Sequence, residues 1–109
     1  MTEVPTGSVI LHASDDPADV QRALDAAAGL QATELNVTVR IIVNGAALAG
    51  LTGDKPVEAP KQTQIAACRV GLERRGIDPD TLRPEVTSVP SAVTAIVQAQ
   101  LAGAAYIRI

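Results

Sequence analysis

The chain contains no phenylalanine and no tryptophan, and its single tyrosine is Tyr106. Without aromatic platforms, single-stranded nucleic-acid binding loses the stacking it leans on. Flavin stacking and aromatic cages for quaternary amines lose their usual residues as well. One cysteine, Cys68, and one histidine, His12, cannot make a metal site of familiar spacing, and one cysteine cannot close an internal disulfide. Excess positive charge is also missing. The formal net charge is -3, the wrong sign for a phosphate-backbone partner, and Arg74-Arg75 is the only adjacent basic pair. No window of about 18 apolar residues exists to span a membrane. Met1–Pro5 is polar and acidic with no apolar h-region, so no signal peptide is expected, and the Asn36-Val37-Thr38 sequon is then coincidental. Gly45, Gly50 and Gly53 match neither the dinucleotide fingerprint nor the P-loop, so no nucleotide cofactor is expected, nor any other cofactor or metal. These absences describe a soluble, cytoplasmic chain with a reduced thiol.

What is present is a core. The 109 residues have the size of one domain, 1–109, and 47% hydrophobic against 19% charged residues excludes a disordered tail. That core must be packed from Ala, Val, Ile and Leu, which favours thin helices laid closely on a sheet.

Ser8–His12 is a short apolar run suited to a buried strand. Ser14-Asp15-Asp16-Pro17 then reads as a helix start, with Asp16 as the cap, Pro17 at the first helical position and Asp19 complementing the dipole. Val20, Ala23, Leu24, Ala27 and Leu30 carry that helix to about Ala32. Val37–Val43 is β-branched and stops at Asn44-Gly45, the best-defined strand. Ala46–Leu51 predicts a helical turn. From Thr52 to Thr63, Gly53, Asp54, Lys55, Pro56, Glu58 and Pro60 predict a mobile surface loop. Gln64–Cys68 predicts a third strand, followed by a short helix with a basic last turn that stops at Gly76. Val86–Val89 is the fourth strand. Pro90 is expected to open a helix with Val93, Ile96, Val97 and Leu101 on one face, and Ala104–Ile109 closes the chain as a strand. Strands alternating with helices imply right-handed crossovers and a mostly parallel sheet, covered on both faces.

In such sheets the working residues gather past the carboxyl ends of the strands. Those positions are His12 with Ser14, Asn44 with Gly45, Cys68 with Arg69, and Ser88 with Ser91. Cys68 stands at a strand-to-helix junction, where free N–H groups and the helix dipole favour a thiolate and Arg69 would add positive charge. Thiols in such places titrate at roughly 3.5–7.5 rather than about 8.5, so an exposed Cys68 would be nucleophilic at neutral pH. The competing reading is a small buried hydrophobe. His12 is either a base or hydrogen-bond donor near the thiol, or a strand-end residue satisfied by solvent or backbone. Ser88 and Ser91 flank Pro90 and would either present hydroxyls to an anion or cap the helix. Asn44-Gly45 reads as the turn releasing the strand.

Val9–His12, Val39–Gly45, Ala67-Cys68 before a short helix, Val86–Val93 and Gln100–Ile107 resemble, in this order, the DsrE/DsrF-like family, also called the YchN-like fold. The likeness spans essentially the whole chain. It implies a three-layer α/β/α sandwich with a five-stranded parallel sheet, and assembly into trimers or hexamers. Some relatives pass a persulfide sulfur from a cysteine to a partner protein, and Cys68 occupies the position of the family cysteine. The chain departs from the family at Thr52–Thr63, which is polar and Pro-rich where a helix is common, and at Arg69-Val70-Gly71, where small polar residues are usual.

The resulting expectation is a persulfide carrier or relay acting through Cys68, with His12, Ser14, Asn44, Arg69, Ser88 and Ser91 in support. The alternative is a non-catalytic binding or assembly module holding a small anion or a partner's tail at the rim. An enzyme acting through His12 alone has no supporting acid or base spacing. Oligomerisation has its own motive, because Tyr106 and Ile107 close the chain on what reads as an edge strand, and exposed apolar edges are usually covered.

Overall fold

A computed structural model describes residues 6–109; the Met1–Pro5 segment, on which the expectation of no signal peptide falls, lies outside them. Five strands form one all-parallel sheet: β1 (Thr6–Ala13), β2 (Asn36–Val43), β3 (Thr63–Cys68), β4 (Val86–Val89) and β5 (Ala105–Arg108), in the spatial order β4-β3-β2-β1-β5. The helices are α1 (Asp19–Gln31), α2 (Arg69–Arg74) and α3 (Ala92–Leu101), with a 3-10 segment at Gly45–Leu51 and a 3-10 turn at Pro79–Thr81. Helices lie on both sides of the sheet, so the chain is an α/β/α sandwich. No helix among the described residues is long and apolar enough to cross a membrane.

The strand order explains how the helices are shared between the faces. From β1 to β4 the chain steps steadily toward one edge, and right-handed crossovers place every connection on the same face. Only the β4-to-β5 connection runs the other way, so its helix, α3, lies alone on the opposite face. The first face packs Val9, Leu11, Val39, Ile41, Val43 and Ile65 against α1, the Gly45–Leu51 segment and Leu72 of α2. The second is smaller, with Ile10, Ile42, Ala66 and Cys68 under Ala92 and Ala95 of α3.

The ends of the helices follow local chemistry. Asp16 Oδ1 accepts from the Ala18 N–H and Asp19 Oδ2 accepts from the Asp16 N–H, two side-chain bonds that brace the turn before α1, which starts slightly later than Pro17. After α2, Gly76 takes φ +63, and the Ile77 N–H reaches back to Leu72 O at 2.9 Å. This Schellman turn satisfies the last carbonyls of a helix only six residues long.

Two sequence expectations about α3 are corrected. The helix opens after Ser91, whose Oγ accepts from the Thr94 N–H, rather than at Pro90. Its buried stripe is Ala92 and Ala95, with Ile96 and Ala99 partly buried, while Val93, Val97 and Leu101 are exposed. Both stripes repeat at helical spacing. The sheet takes the smaller one because alanines let the helix axis approach Ile10, Ile42 and Ala66 closely.

The stretch from Thr52 to Gln62 has no helix or strand, but it is tethered. Arg83 donates to Lys55 O at 2.8 Å and to Gly50 O and Pro56 O at 3.2 Å, and Val57 is buried in the first core.

Candidate functional site

An open cleft of about 660 Å³ lies above the carboxyl ends of β2 and β3, between α2 and the start of α3. Helical spacing builds its α2 wall: Val70, Gly71, Arg74 and Arg75 share one face. Ser91, Ala92 and Val93 form the opposite wall, with Asn44 and Gly45 at the rim and Cys68 at the base.

Cys68 ends β3 in an extended conformation (φ -72, ψ 115), and α2 starts at the next residue. It is 6% exposed, and its Sγ accepts the Ala92 backbone N–H at 3.3 Å. The N–H that reaches the sulfur therefore comes from α3 on the far wall, not from the helix that follows Cys68. Gly71 makes room beside it. A Cβ there would stand 2.8 Å from Leu48 Cδ1 and 3.8 Å from the Cys68 sulfur.

Asn44 is the neighbour of Cys68 across the sheet. Val43 pairs with Ala67, and Asn44 continues the extended strand (φ -142, ψ -174), so the two residues stand side by side about 4.8 Å apart in the pairing direction. Both belong to the second face, in the same alternation as Ile42 and Ala66. Gly45 then turns the chain away at φ +57, where a Cβ would lie 2.6 Å from Ser14 O. That contact and the positive φ make a glycine necessary at this position.

The remaining sequence candidates separate into other groups. His12 is paired with Ile42, which is paired with Ala66, so it stands two strand spacings, roughly 10 Å, from β3 and does not meet the thiol. Its Nδ1 is 2.6 Å from Tyr106 Oη and its Nε2 is 2.9 Å from Asn44 Oδ1. Arg69 Nη2 donates to Ser88 Oγ at 3.2 Å, so these two residues satisfy each other outside the cleft. Ser14 donates to Asp15 Oδ1, which also receives Arg108 at 2.6 Å, a solvated cluster at the ends of β1 and β5. Ser91 keeps a place on the cleft wall while capping α3.

Arg74 and Arg75 supply the cleft with the positive charge that the sequence reading assigned to Arg69. Their adjacency and their place in the last turn of α2 were visible in sequence, but not the side of the helix they share with Gly71. Tyr106 was also missed as a partner of His12. Among the described residues, no group of three or more His, Cys, Asp or Glu could hold a metal ion.

No protein-family model and no curated protein matches the chain. Among solved structures it is similar to MTH1491 from Methanobacterium thermoautotrophicum, with a TM-score of 0.78 and 24% identity, over 95% of this chain and 99% of that one. That protein is described as of unknown function. The likeness shows the fold alone. It covers nearly the full length of both chains, so the arrangement of sheet and helices recurs as a unit.

Proposed function

We propose that this chain is a cytoplasmic, homo-oligomeric carrier of persulfide sulfur, with Cys68 as the accepting and donating atom. The observation that carries the reading is the placement of the Cys68 sulfur at the base of a cleft whose walls are an α3 backbone N–H and two arginines. A thiolate attacks and a thiolate departs in each exchange, and such walls suit an anion. In the first step the Cys68 thiolate attacks the outer sulfur of a donor persulfide. A new Sγ–S bond forms, the donor S–S bond breaks, and the donor leaves as a thiolate. In the second, an acceptor thiolate attacks that outer sulfur and Cys68 departs as the thiolate. Each step is an exchange, with no net oxidant or reductant.

Incubation of the full chain with a low-molecular-weight persulfide, followed by intact-mass measurement, should show one added sulfur atom. Cys68→Ser should show none. Absence of loading on the wild type, while a control carrier loads, removes this reading.

A second reading is supported by Arg74 and Arg75 together with the low exposure of Cys68: a binding module that holds a small anion or a partner's acidic tail in the cleft. It differs in outcome. Alkylation of Cys68 would be slow, and Cys68→Ser would retain both assembly and anion binding, whereas a carrier alkylates quickly.

The homo-oligomeric part of the proposal is supported by α3. Its Val93, Val97 and Leu101 side chains are exposed, and β5, which among the described residues is an edge strand paired with β1 alone, follows directly with Tyr106 and Ile107 partly exposed. A second copy of this chain is the proposed occupant, in a trimer or hexamer as the family resemblance implies.

A further inference from the structure

Three residues on three adjacent strands form a diagonal line on the second face of the sheet: Tyr106 on β5, His12 on β1 and Asn44 at the end of β2. Asn44 Oδ1 can only accept, so the 2.9 Å contact requires His12 Nε2 to carry the proton. In the neutral ring Nδ1 is then the acceptor, and the Tyr106 hydroxyl donates to it across 2.6 Å. The line therefore has one direction: Tyr106 O–H to His12 Nδ1, and His12 Nε2–H to Asn44 Oδ1. With the carbonyl oxygen held by His12 Nε2–H in this tautomer, the carboxamide turns its NH2 away from the ring. Among the described residues nothing accepts from its NH2, and Asn44 lines the cleft beside Cys68.

We infer that Asn44 is the side-chain hydrogen-bond donor for an anionic sulfur species in the Cys68 cleft, and that His12, held by Tyr106, is the positioning residue that aims its NH2. This rests on the carrier reading for the sulfur species, but not for the aim of the amide. His12 thus acts on the thiol's ligand through Asn44, although it does not meet the thiol.

The test combines sulfur loading with NMR on the full chain. In the wild type, 15N spectra should show the Nε2–H tautomer of His12. Asn44→Ala and Asn44→Asp should slow loading of Cys68 from a low-molecular-weight persulfide by roughly ten- to hundredfold, the range for one hydrogen bond to a charged group. Asn44→Asp retains the acceptor for His12 while it removes the donor and adds a negative charge, so its loss of loading reports the site and not the fold. Asn44→Ala reports the loss of the donor without the added charge. His12→Gln, which offers an amide N–H in place of the ring N–H, should load faster than His12→Ala. An Nδ1–H tautomer overturns the inference, because the amide would then give its NH2 to His12. Wild-type loading rates in both Asn44 variants overturn it while leaving the carrier reading intact. If the wild type fails to load, the carrier reading falls, and a thiosulfate titration decides the inference alone. A saturable shift of the Asn44 side-chain NH2 resonances supports it, and unchanged resonances overturn it.

Discussion

Gly71 shows how closely the site depends on the absence of a side chain. Leu48 is fully buried and cannot retreat into solvent, so a methyl group 2.8 Å from its Cδ1 forces the wall of the first core to move. Gly71→Ala should destabilise the protein by about 1–3 kcal/mol, the usual cost of overpacking, as measured by urea denaturation. The same substitution should slow alkylation of Cys68, because the added carbon lies within van der Waals reach of the sulfur. Much of the site was legible at this scale. Asn44, Cys68 and Ser91 were all placed at strand ends by their positions after apolar runs, and all three line the cleft. Arg69 and Ser88 were placed by the same rule and do not. Their nearness in space is set by the pairing of β3 with β4, and sequence order carries no sign of which side-chain partners satisfy one another.

At the scale of elements, the connection from Thr52 to Gln62 depends on one residue far along the chain. The Arg83 guanidinium gathers three backbone carbonyls, from Gly50, Lys55 and Pro56, which no residue within the segment does. Arg83→Met retains the aliphatic stem and removes the donors. The expected result is a loss of about 2 kcal/mol, as for hydrogen bonds to a charged group. It should also accelerate tryptic cleavage after Lys61 while wild-type protein under the same conditions is cut slowly. The composition of this segment, with its Pro and Gly, correctly excluded regular structure. It carried no information about the tether, because the anchoring residue comes later in the chain, after β3 and α2, and reaches the segment only through the fold. Helix α3 makes the same point in another form. Val93, Val97 and Leu101 repeat every four residues, and so do Ala92 and Ile96, which with Ala95 and Ala99 make a stripe of mostly alanine. Periodicity alone favours the bulkier stripe, but the helix turns it outward.

For the whole molecule, that outward stripe is the basis of the assembly prediction. Val97→Asp combined with Leu101→Asp should leave the folded protomer intact, since Val97 is 49% and Leu101 84% exposed. The proposal expects a wild-type oligomer at micromolar concentration by light scattering and a smaller species for the double variant. A wild type that runs as a strict monomer removes it. The order β4-β3-β2-β1-β5 lies behind both features: reversing direction after β4 sends α3 to the opposite face and leaves β5 on an edge. The sequence by itself determined the five strands, the three helices, most of their ends and the strand-end residues, because apolar period, caps and glycine stops act over a few neighbours. Only the tertiary structure decided which strands are neighbours, which stripe of α3 meets the sheet, that Arg74 and Arg75 line the same cleft as Cys68, and that His12 reaches Asn44 and Tyr106 instead of the thiol. Those outcomes depend on strand register and crossover hand, which bring together residues as far apart as His12 and Tyr106 and leave no periodic trace in the chain.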